Sequence, residues 1–350
     1  MTMKIAFFDA KPYDRESFEE ANTDDSIKIK YFPSHLNIDT VELARGFDGV
    51  CIFVNDFITQ EVADRLYDLG IQFIALRSAG YNNIDLKAVF GRIHVLRVPA
   101  YSPHAVAEHT VALMLSLNRK IHKAYYRTKE SNFSINGFLG FDMHGKTAGI
   151  IGTGKIGMIV SEILRGFGMD VITYDPYPKE EWGENNGIKY VSKDELYKRS
   201  DIISLHCPLT PENVHLINSE TISKMKHGVY IFNTGRGKLI NTQELIDGLK
   251  TKKIGGAGLD VYEEETDYFF EDFSSSIVSD DVLARLLTFP NVLITSHQAF
   301  FTKEALRNIA DTTLENIKAM RDGKRLDNEI CYQCGADKKS CRKTTVGRCF

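Results

Sequence analysis

The chain contains few cysteines and no long apolar run. Six cysteines among 350 residues are too sparse for a scaffold held together by disulfides, and a reduced, cytoplasmic setting fits them best. No stretch reaches the roughly 18 consecutive apolar residues that a membrane-spanning helix requires. The apolar run near the N-terminus, residues 5–8, is shorter than a signal-peptide core. We therefore expect no export and no membrane partner.

The chain also lacks an excess of charge of one sign. Its 43 Lys and Arg residues face 47 Asp and Glu residues, which leaves a net charge of -4. A global positive field that attracts nucleic acid is therefore absent, and we expect no nucleic-acid partner. The length suggests two or three domains, and a hydrophobic content of 43% is sufficient for sizeable cores.

Short β-branched or aromatic runs alternate with longer amphipathic segments along the whole chain. This alternation is typical of an α/β fold with parallel sheets. In the first hundred residues the predicted strands are 4–8, 27–31, 49–54, 73–76 and 94–98. A second series of six strands is predicted at 147–151, 170–174, 201–205, 228–233, 256–260 and 292–295, which suits a complete dinucleotide-binding domain.

A helix that begins at Ser102 and Pro103 marks the predicted domain boundary. Ser is a favourable cap and Pro fits the first helical position, and the helix is apolar on most faces, which predicts burial at a domain interface. The helix-like stretch 302–320 has no strand partner and is predicted to return to the first domain. The predicted division is thus 1–101 and 301–330 for one domain, 102–300 for the other, and 331–350 for a tail.

A glycine-rich loop follows the strand at 147–151. The spacing Gly152, Gly154 and Gly157 suits a tight turn, a close approach of the backbone to a pyrophosphate, and packing of the following helix on the strand. That helix begins at Lys155 and Ile156, where free N–H groups attract phosphates. We interpret the loop as a dinucleotide site.

The next strand ends in Asp175, 18 residues after Gly157. An acid at this position accepts hydrogen bonds from the adenosine ribose and repels a 2'-phosphate. The sequence therefore favours NAD over NADP as the cofactor.

Three further segments follow predicted strands, where open parallel sheets bind ligands. They contain Arg236, Glu265 and His297. Taken singly, each has an ordinary alternative: a surface cation, a residue of an acidic loop, and a core or surface histidine.

Together, behind the dinucleotide loop, these three residues resemble the D-isomer-specific 2-hydroxyacid dehydrogenases, and the chain is most similar to the fermentative D-lactate dehydrogenases. The resemblance covers roughly residues 3–330, and its further supporting stretches are residues 76–85, 98–103, 204–210 and 297–300. It implies two doubly wound parallel-sheet domains, with a Rossmann NAD-binding domain inserted in a smaller flavodoxin-like substrate domain. It also implies a homodimer or homotetramer and a site in the cleft between the domains.

The chemistry accounts for these residue types. A guanidinium can hold the carboxylate of a 2-keto acid and polarise its carbonyl, which is the role of Arg236. His297 is the candidate proton donor, since an imidazole titrates near neutrality. A carboxylate beside the ring orients it and favours its charged form, and this is the role that the resemblance implies for Glu265. In lactate oxidation the neutral ring accepts the proton.

The resemblance also implies the remaining contacts. The substrate carboxylate is expected at the main-chain N–H groups around Ser78, Ala79 and Gly80. A hydroxyl contact is expected from Tyr101, and a pocket wall from Phe300, although an interface tyrosine and a plain core aromatic remain alternatives for these two. Beyond the glycines, the expected cofactor contacts are Lys155, Ile156, Cys207, Pro208, Asn213, Thr234 and Asp260.

The tail has no counterpart in the family pattern. Its Cys331, Cys334, Cys341 and Cys349 could supply four thiolates to zinc, but the spacings match no standard zinc finger. A disordered, basic, reduced tail is the expectation, and no metal is predicted in the active site.

The function predicted from the sequence is reversible reduction of pyruvate to D-lactate with NADH. Two alternatives remain open. The first is another D-2-hydroxyacid dehydrogenase that acts on hydroxypyruvate, glyoxylate or a bulkier keto acid. The second is a dinucleotide-sensing binding protein, since the family includes transcriptional corepressors.

Overall fold

The computed structural model describes residues 2–264, 268–333 and 342–350, which form two compact units. Unit 1 comprises the described residues within 2–102 and 301–350, and unit 2 comprises those within 103–300. Each unit is an α/β structure with a largely parallel sheet, as the alternating pattern of the sequence predicts.

Unit 1 is built on a six-stranded sheet. Its strands are β1 (Met3–Phe7), β2 (Ile27–Tyr31), β3 (Gly49–Ile52), β4 (Phe73–Leu76), β5 (His94–Leu96) and β13 (Glu329–Ile330). Their spatial order is β13-β5-β4-β3-β1-β2, and only β13 is antiparallel to its neighbour. The five parallel strands therefore have the flavodoxin-like order that the resemblance implies.

Helices cover this sheet. They are α1 (Pro12–Ala21), α2 (Gln60–Asp68), α3 (Leu86–Val89), α12 (Lys303–Arg321) and α13 (Arg342–Val346), with a 3-10 turn at Val41–Ala44. The N-cap of α12 is Thr302, whose hydroxyl accepts a hydrogen bond from the N–H of Ala305 at 3.2 Å, and α12 packs against α1. The segment after Phe301 thus belongs to unit 1.

Unit 2 contains a seven-stranded parallel sheet. Its strands are β6 (Thr147–Ile151), β7 (Asp170–Tyr174), β8 (Lys189–Tyr190), β9 (Ile202–Leu205), β10 (Val229–Asn233), β11 (Ile254–Leu259) and β12 (Val292–Ile294). The order is β12-β11-β10-β9-β6-β7-β8, so the direction of winding reverses between β9 and β6, where such sheets bind ligands. Six strands were predicted. The seventh, β8, has only two residues and therefore no periodicity to detect.

The helices of unit 2 begin with α4 (Pro103–Arg119), which starts at the predicted residue and is buried as predicted. Its apolar side chains join those of β6 and α6 in one core. The others are α5 (Ile121–Lys129), α6 (Lys155–Gly166), α7 (Glu180–Asn186), α8 (Lys193–Arg199), α9 (Ser219–Lys224), α10 (Thr242–Lys250) and α11 (Asp281–Leu287), with 3-10 turns at Pro211–Asn213 and Gly237–Leu239. Among the described residues, none of the helices has the length and apolarity needed to cross a membrane.

The tail differs from the expectation of disorder. Residues 342–350 pack on unit 1: the N–H of Leu326 donates to the carbonyl of Gly347 at 2.8 Å, and the Phe350 ring stacks on His94 with centroids 4.2 Å apart. The N–H of the buried Cys349 donates to a carboxylate oxygen of Glu329 at 2.6 Å. Cys334 and Cys341 lie outside the described residues, so the four-cysteine metal hypothesis stays untested.

Candidate active site

The loop after β6 requires glycine at two positions. Gly152 has a φ of +98°, and a Cβ on it would lie 2.6 Å from the backbone nitrogen of Cys207. A Cβ on Gly157 would lie 1.9 Å from the carbonyl oxygen of Gly152. These contacts press α6 against the strand end, as the fingerprint predicts.

Gly154 fills a different need. It is the N-cap of α6, and a Cβ added there would meet no atom within 4 Å. The space in front of the helix N-terminus is therefore open, next to the first-turn residues Lys155 and Ile156. An open cradle at the N-terminus of a long helix fits a pyrophosphate, since the unpaired N–H groups and the helix dipole favour an anion.

Asp175 lies at the end of β7, beside this loop. Its Oδ2 accepts hydrogen bonds from the N–H of Thr153 at 2.6 Å and from the Thr153 hydroxyl at 3.0 Å. Its Oδ1 accepts from the N–H of Tyr177 at 2.9 Å, and the hydroxyl of Tyr190 donates to the Thr153 oxygen at 2.9 Å. The carboxylate is thereby fixed next to the glycine loop. The sequence analysis missed Thr153, whose only signal is its position between two of the glycines.

The segment after β9 begins with two side chains, His206 and Cys207, that burial keeps uncharged near neutrality. Burial lowers the pKa of His206 to about 4 and raises the pKa of the Cys207 thiol to about 11, because desolvation disfavours both charged forms. Cys207 is therefore no activated nucleophile, and its place as a wall of the cofactor pocket stays a prediction. Asn213 holds the turn: its amide donates to the Pro208 carbonyl at 2.6 Å, and its carbonyl accepts from the Thr210 N–H at 2.7 Å.

Arg236 lies in a tight turn after β10. The side chain of Asn233 binds both ends of this turn, donating to the Arg236 carbonyl at 2.9 Å and accepting from the Gly235 N–H at 3.0 Å. One guanidinium nitrogen of Arg236 donates to the Gly235 carbonyl at 2.7 Å. The half-buried guanidinium has no other hydrogen bond to the described residues. It retains donors for a ligand.

Two contacts fix this turn in unit 2. The hydroxyl of the buried Thr234 lies 2.8 Å from that of Thr110 on α4. A Cβ on Gly237 would lie 2.0 Å from the carbonyl oxygen of Tyr262, so the turn packs closely against the segment that leads toward Glu265. Glu265 itself lies outside the described residues.

His297 lies in a turn after β12 that is held by a buried carboxylate. The residue has a left-handed φ of 52°, and its N–H donates to the main-chain carbonyl of Asp260 at 2.7 Å. The Asp260 carboxylate, fully buried, accepts from the N–H groups of Gln298 and Ala299 at 2.9 Å and 2.8 Å. Backbone conformations of this kind persist where the surroundings enforce them, often at functional sites.

The same carboxylate contacts His109 of helix α4, both directly, with Nε2 3.5 Å from Asp260 Oδ1, and through Thr295. The hydroxyl of Thr295 donates to Asp260 Oδ1 at 2.6 Å, and its oxygen lies 3.1 Å from Nε2 of His109. Sequence reasoning proposed Asp260 as a cofactor contact and missed Thr295 and His109. Their network stabilises the turn that carries His297.

The substrate residues expected outside unit 2 lie in unit 1. The N–H groups of Ala79, Gly80 and Tyr81 donate to no acceptor among the described residues, as an expected carboxylate site requires. The main-chain carbonyl of Tyr101 accepts from the side chain of Asn308 at 2.6 Å. Phe300, the last residue of unit 2, is buried, and the contacts of both aromatic residues with a substrate stay predictions.

In unit 2, the parallel sheet brings the predicted residues to one edge. Gly152, Asp175, Cys207, Arg236 and His297 each follow the carboxyl end of a strand, and parallel strands share the edge at which these ends lie. Within the described residues, the geometry therefore combines an anion cradle, an acid beside it, a guanidinium and an imidazole.

The comparisons with known proteins agree with this geometry. Residues 111–299 match the model of the family described as D-isomer specific 2-hydroxyacid dehydrogenase, NAD binding domain. The chain belongs to the D-isomer-specific 2-hydroxyacid dehydrogenases. The cofactor of this dehydrogenase is NAD.

Curated relatives match this dehydrogenase over nearly its whole length. A 2-hydroxyacid dehydrogenase homolog of Haemophilus influenzae is 54% identical over 330 residues, which are 94% of this chain and 99% of that protein. The D-lactate dehydrogenase of Escherichia coli is 49% identical and is covered to 100%. The apo-structure of the Escherichia coli D-lactate dehydrogenase superposes with a TM-score of 0.87 at 46% identity, covering 94% of this chain and 100% of that one.

Gly154→Ala tests the anion cradle of the dehydrogenase. The added methyl group meets nothing in the protein but fills space expected for the pyrophosphate, so the Kd of NADH should rise about tenfold or more, which corresponds to about 1.4 kcal/mol. Fluorescence titration with NADH measures the Kd, and thermal unfolding should show an unchanged Tm. Gly166→Ala, at the other end of α6 and equally open, is the control. A parental affinity for NADH in Gly154→Ala would contradict the proposal that the pyrophosphate binds next to Gly154.

Asp175→Asn tests cofactor discrimination. Removing the charge should narrow the preference for NADH over NADPH by about 1 to 3 kcal/mol, the range of a charge-assisted contact. The measurement is the ratio of kcat/KM for the two cofactors. Thr153→Val, which removes one hydrogen bond to the carboxylate but keeps its charge, should leave that ratio near the parental value. An unchanged ratio in Asp175→Asn would exclude Asp175 from the ribose site.

Proposed function

We propose that the chain is an NAD-dependent D-lactate dehydrogenase that reversibly reduces pyruvate to D-lactate. The observation that carries this proposal is the sheet order: Arg236 follows β10 and His297 follows β12, on either side of β11. The chain after β11 leads through Asp260 toward Glu265. Full-length similarity to the Escherichia coli D-lactate dehydrogenase supports pyruvate as the substrate.

Substrate binding requires charge complementarity at the carboxylate. Arg236 is held by Asn233 and retains guanidinium donors, so it can bind a carboxylate oxygen and the keto oxygen with its planar fork. As negative charge develops on the keto oxygen, this positive charge stabilises it more strongly than it stabilises the ground state. The guanidinium thus contributes to both binding and rate.

The reaction needs a hydride and a proton. Bound NADH supplies the hydride to the carbonyl carbon. His297 donates the proton to the oxygen in the reduction and accepts it in the oxidation, since one imidazole can carry out both roles. The fixed turn around Asp260 holds the backbone of His297 in one conformation, which reduces the orientational freedom lost in the transition state.

Glu265 is the proposed partner of this imidazole. Its neighbours in the sequence are anchored: the carboxylate of Glu263 accepts from the N–H of Thr242 at 2.7 Å and lies 2.7 Å from Nε2 of His215. Glu263 is therefore engaged elsewhere, and the family resemblance assigns the role to Glu265. A carboxylate beside His297 orients the ring and favours its protonated form.

We further propose that the protein is a homo-oligomer. Helix α5 buries none of its residues, and several large apolar side chains on α5 and the loop after it are exposed: Ile121, Tyr125, Tyr126, Phe133, Ile135 and Leu139. Exposed apolar side chains close together in the chain favour a protein interface in this segment. A second copy of this chain is the partner that the family resemblance favours.

Purified protein, NADH and a panel of 2-keto acids test the proposed function. Pyruvate should give the highest kcat/KM, and chiral chromatography should identify the product as D-lactate. Preference for hydroxypyruvate, glyoxylate or a bulkier keto acid would replace the substrate but keep the reaction class. L-lactate would overturn the stereochemical assignment, and the absence of turnover with every keto acid would favour a dinucleotide sensor.

The proton transfer predicts opposite pH dependences. Pyruvate reduction should decline as pH rises, because it uses the charged imidazole of His297, whereas lactate oxidation should improve. His297→Asn should lower kcat about 100-fold or more and abolish the decline of pyruvate reduction with rising pH. Glu265→Gln should move this decline to lower pH. His227→Asn, at an exposed histidine of the same unit, is the control. Near-normal turnover with the parental pH profile in His297→Asn would contradict the acid-base role.

A further inference from the structure

We propose that Arg97 is a positioning residue for the substrate carboxylate: its guanidinium fixes the peptide between Ala79 and Gly80 so that the Gly80 N–H is available to that carboxylate. The inference rests on the proposed function and deepens it. Nothing in the family motifs discussed above assigns a role to Arg97, which follows β5 by one residue.

The geometry of the peptide group links Arg97 to the Gly80 N–H. In a trans peptide, the C=O of one residue and the N–H of the next lie in one plane and point in opposite directions. A hydrogen bond that holds the carbonyl therefore sets the direction of the following N–H. Residues 78–81 contain three such peptides.

All three carbonyls of this segment are bound within unit 1. The Ser78 carbonyl accepts from the N–H of Val98 at 3.1 Å. The Ala79 carbonyl accepts from Nη1 of Arg97 at 2.7 Å, and the Gly80 carbonyl accepts from the Ser78 hydroxyl at 2.8 Å. The three following N–H groups point away from these partners and have no acceptor among the described residues, which is an arrangement suited to an anion.

Arg97 is itself held in place. Its N–H donates to the carbonyl of Asn328 at 3.1 Å, and its carbonyl accepts from the side-chain amide of Asn316 at 3.0 Å. The two asparagines bind each other at 2.9 Å, and the guanidinium lies 5.4 Å from the centroid of the Tyr81 ring. The donor is thus positioned before a ligand arrives, which lowers the ordering cost of binding.

The neighbouring guanidinium does not replace it. Arg77 is buried and donates to the carbonyls of Phe8 and Asp9 at 3.2 Å and 3.0 Å, with a further contact to the carboxylate of Asp14. Among the described residues, the carbonyl of Ala79 accepts from no guanidinium other than that of Arg97.

This placement predicts a specific kinetic effect. In this proposal the Gly80 N–H binds the substrate carboxylate, which does not change during the reaction. Losing the orientation of this N–H therefore removes a binding contact that the ground state and the transition state share. Such a change raises KM and leaves kcat nearly unaltered. A loss of Arg236 or His297, in contrast, would lower kcat.

The test compares Arg97→Met, Arg97→Lys and Arg97→Ala in the full-length protein. Arg97→Met should raise the KM for pyruvate about tenfold or more, with the kcat and the KM for NADH within about twofold of the parent. Arg97→Lys, which keeps one donor, should recover part of the loss. Added methylguanidinium should lower the KM of Arg97→Ala.

Arg92→Met is the matched control, because Arg92 binds the Ala88 carbonyl and the Asp64 carboxylate at 2.7 Å away from the segment. It should leave the KM for pyruvate unchanged. A parental KM in Arg97→Met would overturn the inference while the proposed function stands. A parental KM for pyruvate in Arg97→Lys, together with a loss of the difference between Arg97→Met and the parent at high salt, would also overturn the inference, since the positive charge alone would then suffice.

The failure of the proposed function is seen separately, in the parental protein. If the parent does not reduce pyruvate, the same comparison uses the keto acid that it reduces. If it reduces none, the Kd of oxamate, an unreactive analogue of pyruvate, is measured in the presence of NADH. Weaker oxamate binding in Arg97→Met than in Arg92→Met supports the inference, and equal binding overturns it.

Discussion

The parallel hydrogen-bonded ladder of unit 2 determines which residues meet at the active site. Because its strands run in one direction, their carboxyl ends lie at one edge of the sheet, and the loops that follow them are neighbours. Gly152, Arg236 and His297 are distant in the sequence, and in the proposed function each of their loops contributes one part: an anion cradle, a cation or a proton donor. The reaction depends on the ladder because it requires all three at once.

Buried polar side chains then fix the conformation of these loops. The Asp260 carboxylate has no access to solvent, and its burial is compensated by the two N–H donors of Gln298 and Ala299 and by the Thr295 hydroxyl. Asn233 does the same for the turn of Arg236 with one neutral amide. In both loops a buried side chain binds main-chain groups and so fixes the turn that carries the reactive side chain.

The sequence was sufficient for features with local causes. Hydrophobic alternation predicts the strands, and the steric limits at Gly152 and Gly157 predict the cofactor loop, since both depend on nearby residues. β8 escaped detection because two residues show no period. The roles of Thr153, Thr295 and Arg97 could not be predicted in this way, because their hydrogen bonds join segments that only the folded chain brings together. The order of residues 342–350 likewise depends on distant partners, as when Phe350 stacks on His94.

At the carboxyl edge of the sheet in unit 2, the charge proposed to select the cofactor and the groups proposed to carry out the reaction lie on opposite sides of the loop after β9. Burial keeps two residues of the loop after β9 uncharged near neutrality, since it lowers the pKa of His206 to about 4 and raises the pKa of Cys207 to about 11. Asp175, on the far side of β6 from this loop, is the negative charge that the proposed ribose contact places beside the cofactor. Arg236 and His297 follow strands on the other side of β9, toward β12. Since neither of these two side chains titrates between those two pKa values, a pH dependence of the reaction near neutrality does not arise from them.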